Sequence, residues 1–215
     1  MDTYEDCKQR TYVPDDNFEQ ALIDLGYDDV LDDYVLTSNI EVLTELTVSG
    51  KEISDLTGIE DFAGLILLDC DNNKLTNLDV SKSTLLQQLS CRVNQLTNLV
   101  LNTGLLGLNC FDNELTSLDL SDNSALTGLA CSSNELSSLD VSYNLALEGL
   151  SFSTNPLTSI DLSNNVALLS LNFYDTNFTE IDISNNVALE YFRCDNNQLT
   201  SLDISNNTAL RELYC

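Results

Sequence analysis

A β-rich solenoid is what this sequence predicts, on three observations. One phrase of leucines, cysteine and asparagine returns along most of the 215-residue chain at a nearly constant step. Within it, apolar and polar residues alternate as on a strand that buries one face. Each phrase also echoes itself at a spacing of ten residues, which leaves no stretch long enough for a helix between strands. A stacked array presents a long surface and few private pockets, so binding is expected ahead of catalysis.

The phrase reads L-x-x-L-x-C-x-x-N-x-L-x-x-L-D-L-S-x-N, with copies from Leu65, Leu86, Leu105, Leu126, Leu147, Leu168 and Leu189 and a cut-off copy from Leu210. The steps are 21, 19, 21, 21, 21, 21 and 21 residues, inside the range of leucine-rich repeats. A more divergent copy, LTELTVSGKEI, opens the array at Leu43. Residues 43–215 therefore form eight repeats plus a truncated ninth, behind a cap at residues 1–42. The expected architecture is a right-handed leucine-rich-repeat horseshoe with a parallel concave sheet, an extended convex side and an N-terminal helical cap. At about 4.8 Å per rung, eight rungs give a sheet on the order of 40 Å long.

The cap contains one predicted helix. Pro14-Asp15-Asp16-Asn17 supplies an acidic start, Phe18, Ala21, Leu22 and Leu25 recur at helical spacing, and Gly26 follows. This predicts a helix over about Asp16–Leu25 that covers the first rung. Asp28, Asp29, Asp32 and Asp33 come next. They do not match a calcium-binding loop and read as a solvated acidic turn.

In the array, positions 4 and 6 of each repeat are the buried strand residues. Position 6 holds Cys70, Cys91, Cys110, Cys131, Cys194 and Cys215, and Phe152 and Phe173 fill the same slot. A slot that accepts Cys or Phe is a core slot, so these are reduced core thiols, without disulfide or metal spacing. Position 9 is asparagine in every copy after the first except at Thr176, an amide placed to bond the backbone of the next turn. On the convex side, Asp79, Asp119, Asp140, Asp161, Asp182 and Asp203 recur at position 15. Stacked carboxylates repel, which a cation could relieve, or they accept backbone hydrogen bonds. The copy from Leu86 (LTNLVLNTG) lacks two residues and, by position, the Asp and Asn of its second half. A local change of curvature is expected there.

With 35 acidic and 8 basic side chains the net charge is -27, and no Lys or Arg occurs between Arg92 and Arg193. Such a surface repels phosphate backbones and anionic membranes, so no nucleic-acid partner and no membrane insertion are expected. No apolar run reaches the length of a membrane span, and the start MDTYEDCKQR has no hydrophobic signal region. Met1 stands in place of a removed leader, or the protein is cytoplasmic; the residues leave both open. No cofactor and no metal is expected.

The cap and first repeat, with Pro-Asp-x-x-Phe (PDDNF) and the closing LTGIEDF, resemble the start of internalin-like bacterial leucine-rich-repeat proteins. The later copies are similar to those of secreted bacterial repeat proteins. The resemblance implies an extracellular or cell-surface protein that binds other macromolecules. The chain departs from it by ending at Cys215, one strand into the ninth repeat, so a longer natural protein is expected. That uncapped edge is also a candidate for self-association.

The concave candidates are Arg92 and Phe111 toward one end and Tyr174, Tyr191, Arg193, Asp195 and Tyr214 toward the other, with small residues between. Aromatics and arginine are the side chains enriched at binding hot spots. The leading reading is a non-catalytic module for protein interaction or adhesion. The alternative is a glycan-binding or polysaccharide-cleaving solenoid, for which Asp69 and Asp71 are the best concave carboxylate pair.

Overall fold

The computed structural model describes residues 9–215. The cap opens with strand β1 (Arg10–Tyr12), then α1 (Asp16–Asp24), β2 (Tyr34–Leu36) and α2 (Thr37–Ile40). β1 and β2 pair antiparallel. The helix α1 starts where the acidic cap places it. The Asp15 carboxylate accepts the Asn17 and Phe18 N–H groups, and the backbone turns out at Gly26 with φ 82°. Its apolar stripe, Phe18, Ala21 and Leu22, is buried, with Phe18 stacked on Phe62 of the first repeat. The other oxygen of Asp15 accepts the Ser54 and Asp55 N–H groups and the Ser54 hydroxyl, so one carboxylate ties the cap to the array. Partial burial raises the Asp15 carboxyl's pKa, but the bonds from Ser54, Phe18 and Asp55 outweigh it and bring it below the ordinary value.

Two features of the cap depart from the expected single helix. The second helix, α2, is one turn long, too short to show a period in sequence, and it buries Ile40. A three-residue 3-10 turn follows at Ile59–Asp61. The acidic stretch after α1 is also less solvated than expected. It wraps around Glu19, whose fully buried carboxylate accepts the N–H groups of Asp32, Asp33 and Tyr34 at 2.9–3.1 Å. Among these acids, burial pushes the Asp28 carboxyl above its ordinary pKa, with Glu19, Asp29 and Asp32 adding to the shift.

The array supplies β3 (Glu45–Thr47), β4 (Leu67–Asp69), β5 (Asn77–Asp79), β6 (Gln88–Ser90), β7 (Asn98–Val100), β8 (Gly107–Asn109), β9 (Gly128–Ala130), β10 (Gly149–Ser151), β11 (Ser170–Asn172), β12 (Tyr191–Arg193) and β13 (Glu212–Tyr214). Nine of these, one per repeat and including β13 of the truncated copy, form a single parallel sheet in chain order. The register never slips. Leu46, Leu68, Leu89, Leu108, Leu129, Leu150, Leu171, Phe192 and Leu213 face one another across the ladder. A one-residue slip would turn this entire column to solvent, so burial fixes the pairing.

The convex side is extended, with one short parallel pair, β5 and β7, at the repeats from Leu65 and Leu86. Each convex aspartate accepts the N–H of the serine two residues on, at 2.9–3.0 Å. These are local Asx turns, and the serine bonds hold the carboxyls below their ordinary pKa. One oxygen of each is thereby committed to its own turn. Among the described residues no helix is long and apolar enough to cross a membrane.

The core is one continuous column. Cys70, Cys91, Cys110 and Cys131 are fully buried and free, and three of these thiols donate to the carbonyls of Ser90, Asn109 and Ser151 in the next rung. Where phenylalanine takes the slot, Phe152 and Phe173 lie parallel with centroids 5.4 Å apart, and Phe178 packs against both. Cys215 is exposed, and Cys7 lies outside the described residues.

One sequence expectation is corrected. The 19-residue repeat keeps the asparagine of its second half. Asn102 is buried, donates to the Leu86 carbonyl, and presents its own carbonyl to Asn123. The two missing residues lie before that asparagine, and its amide keeps its place in the stack.

Candidate binding face

The outward positions of each concave strand, and the residue two beyond it, make the candidate face. Strand pleating sends position 4 inward and positions 3 and 5 outward, so side chains from successive repeats line up in columns. At the C-terminal end these columns bring together the candidates Tyr174, Tyr191, Arg193, Asp195 and Tyr214. The Arg193 guanidinium lies over the Tyr174 ring, 4.0 Å from its centroid. It also donates to both oxygens of Asp195, at 2.6 and 3.3 Å. The Asp195 bond raises the Arg193 pKa and lowers that of Asp195. Beside them, Tyr191 and Tyr214 meet at 5.8 Å in a tilted pair. The charge of Glu212, with a bond from the Tyr214 hydroxyl at 3.3 Å, raises the Tyr214 pKa.

Arg92 and Phe111 form the counterpart toward the other end. The Arg92 guanidinium sits 5.7 Å from the Phe111 centroid. Its backbone N–H donates to Asp71 at 2.7 Å, and its side chain reaches the same carboxylate at 3.9 Å. Each end of the face thus carries an arginine held between an aromatic ring and a carboxylate of its own chain. Planar guanidinium suits both partners at once.

Alongside these two groups runs an open groove of about 650 Å³, lined from Leu67 on β4 to Tyr191 on β12. Its middle is built from Gly107, Gly128, Gly149, Ala130, Ser151 and Asn172. The glycine column is a feature that reading for aromatics and charges passed over, although position 3 spells it in three successive repeats. A side chain added at Gly128 or Gly149 would meet nothing within 4 Å, so the column deepens the face and leaves backbone open. At Gly107 the Gln88 side chain leans across the same space. Ser132 and Ser153, which the pattern also places on the face, are buried and bonded to Ser151 and Asn172.

The carboxylate pair considered for polysaccharide cleavage is put to structural use. Asp71 is largely buried, and besides Arg92 it accepts the Ser90 hydroxyl at 2.7 Å. Asp69 accepts the Asp71 N–H at 3.1 Å. Asp71, with its lone pairs filled by its own fold, is poorly placed to act as nucleophile or acid on a substrate, which leaves Asp69 without a free partner carboxylate in this pair. Among the described residues no three His, Cys, Asp or Glu side chains come together as a metal-binding group.

No protein-family model matches the chain. A 73-residue stretch is 37% identical to internalin J of Listeria monocytogenes, covering 34% of this chain and 8% of that protein. The solved functional domain of internalin J, described as including a cysteine ladder, is 33% identical, with a TM-score of 0.75 over 96% of this chain and 52% of that one. Internalin C2 of the same species matches at a TM-score of 0.82 over 95% of this chain and 96% of that chain, at 20% identity. That last likeness speaks for the fold alone. The chain spans about half the length of the internalin J domain it matches.

Proposed function

Because the chain is an internalin-like leucine-rich-repeat protein, we propose that it is a non-catalytic module binding a macromolecule along its concave face, in protein interaction or adhesion. We place it in a secreted or surface-attached bacterial protein, as the kinship with internalins suggests. The observation that carries the binding reading is the concave groove of about 650 Å³ on a parallel sheet, with ordered arginine–aromatic–carboxylate groups beside it on the same face. Preordered side chains lose little freedom when a partner arrives, which is what a binding surface gains from a stiff scaffold.

The test is an array of purified proteins and glycans probed with the wild type and with variants Tyr191→Ala and Arg193→Ala. Each substitution is expected to weaken a true ligand by about 1 kcal/mol or more, the scale of a contributing interface residue. A ligand bound equally well by both variants would remove the C-terminal aromatic group from the site. Turnover of any polysaccharide on the array would reject the non-catalytic reading.

A further inference from the structure

The concave groove has a chemistry unlike the rest of the surface, and that contrast identifies a ligand class. Positions 3, 5 and 7 of the four repeats from Leu105 to Ala188 hold no charged residue. Eleven carboxylates lie in that same stretch and no Lys or Arg, and every one of the eleven falls outside those positions. In a chain of net charge -27 this is a segregated neutral strip. Of the arginines beside it, Arg193 is bonded to Asp195 and Arg92 has Asp71 at 3.9 Å, so each positive charge has a carboxylate of the same chain next to it.

Building on the concave-face reading above, we infer that this groove binds an extended, uncharged glycan chain, with the Tyr191–Tyr214 pair as its stacking ledge. Three properties of the groove agree on that class. Apart from the Asp69 carboxylate at its first strand, its polar side chains are hydroxyls and amides, Gln88, Ser90, Ser151, Ser170, Asn109 and Asn172, which both donate and accept, as the rim of a sugar ring does. Its lining aromatic is Tyr191, at one end, with Tyr214 packed beside it; the Tyr191 ring offers an apolar face to the C–H surface of a pyranose and a hydroxyl to its edge. Its floor is open backbone, which lets a flat ring approach closely. It crosses seven successive strands from β4 to β12, so at about 4.8 Å per rung it is on the order of 30 Å long. That length suits a linear chain.

Of the two roles that reading admits, protein interaction and adhesion, the same observations favour adhesion to a glycan over a protein occupant of this strip. Protein interfaces centre on buried anchors in desolvated pockets and match charge with charge. A basic partner drawn by this chain's field would find its carboxylates off the face, and an acidic one would be repelled.

The test is affinity electrophoresis of the whole chain in native gels containing a linear glucan, a mannan or a galactan, with a carboxymethylated glucan as the charged comparison. The wild type is expected to be retarded by at least one neutral polymer. The retardation should persist between about 0.1 M and 1 M salt, across which the Debye length falls from about 10 Å to 3 Å. Gly149→Leu should abolish it, at least tenfold in apparent affinity, because the added side chain fills the floor where no atom now lies within 4 Å. Tyr191→Ala should weaken it several-fold. Gly128→Leu is a second floor-filling variant, and an unchanged melting temperature certifies either one as folded.

The glycan assignment is overturned by the absence of retardation in every neutral gel, by retardation that a folded Gly149→Leu retains, or by retardation confined to the carboxymethylated polymer. A purified protein from the array that binds the wild type and loses Gly149→Leu would overturn it too, while leaving the concave-face reading intact. Loss of nothing on either assay with the floor filled would overturn both.

Discussion

Asn134 and Asn144 lie ten residues apart in one repeat, in half-phrases spelled almost alike, yet their amides are used differently. Asn134 sits at a concave strand exit. Its carbonyl accepts the Leu115 N–H of the preceding repeat at 3.0 Å, and its amino group donates to the carbonyls of Cys110, Cys131 and Ser132. Asn144, on the convex side, donates to the carbonyls of Leu120 and Asn123, and its own carbonyl is buried without a partner. The distinction runs down both columns: Asn73, Asn94, Asn113, Asn155 and Asn197 follow the first pattern, Asn165, Asn186 and Asn207 the second. The chain just before them also differs. Position 8, ahead of each strand-exit amide, has left-handed backbone in every copy, from Asn72 at φ 55° to Asn196 at φ 56°, and no convex asparagine follows such a residue. The left-handed bend thus accompanies the inward amides that satisfy both of their ends.

The largest expected effect breaks or upholds this contrast directly. Asn134→Ala orphans the buried Leu115 N–H and removes a donor from three neighbouring carbonyls. Unmade buried bonds of this kind cost about 1–3 kcal/mol apiece, so a loss of about 3–5 kcal/mol is expected. Asn165→Ala removes a donor from the Val141 and Asn144 carbonyls only, and under-satisfied carbonyls are better tolerated. Its expected cost is about 1–2 kcal/mol. Urea unfolding of the two variants measures both. Equal losses would mean that the ladders are equivalent and the unpartnered carbonyls are immaterial.

How much of this was legible beforehand follows from the physics of repetition. The strand column, the Cys/Phe slot and the strand-exit asparagines each recur many times, and recurrence averages out local accident. The solenoid, its parallel sheet and the α1 cap were therefore readable. What occurs once was not. The one-turn α2 and the buried Glu19 that gathers the Asp32, Asp33 and Tyr34 N–H groups have no period, and a lone glutamate in an acidic stretch looks solvated. The residues of the candidate face were legible as columns, but their pairing was not. Arg193 could have pointed to solvent, and only geometry shows it clamped between Tyr174 and Asp195.

A second measurement sharpens the contrast by asking which side of the solenoid opens first. Burial pushes the Cys110 thiol up to about 12 and the Cys131 thiol well above its ordinary value. Only thiolate reacts, so at pH 8 these groups should be inert in the native state while exposed Cys215 reacts at once. The strand exits beside them carry the fully bonded amides, so Cys110 and Cys131 should react only at the rate of global unfolding. Labelling far faster than that, with Cys215 changed to serine, would show the strand-exit side opening locally and reverse the ranking of the ladders.

A gain of about 1 kcal/mol is expected where the strand-exit ladder is interrupted. Thr176 stands in for asparagine, and its hydroxyl reaches only the Phe173 carbonyl and the Asn197 side chain. The bond that each other repeat sends to the preceding position 11 has no equivalent at Leu157. Thr176→Asn restores acceptor and donors together, worth about one net hydrogen bond. A neutral or destabilising result would mean that the Phe152–Phe173–Phe178 cluster leaves the larger amide no room.

The smallest effect tests the bend itself. Val93 holds φ at 52° in the 19-residue repeat, a left-handed conformation that crowds a β-branched side chain. Its counterparts are Asn72, Asp112, Ser133, Thr154, Asp175 and Asn196, mostly short polar residues that tolerate this region. The strain at such a position is about 1 kcal/mol, and Val93→Asn should release up to that amount because asparagine adopts the same backbone at less cost. The reciprocal change, Ser133→Val, imposes the strain ahead of Asn134 and should lower the urea midpoint by a similar step. If both variants shift the midpoint in the expected directions, the left-handed residue is an energetic part of the strand-exit ladder. If Ser133→Val is neutral while Asn134→Ala is costly, the amide alone holds the turn, and the bend before it is a consequence of the ladder instead of its cause.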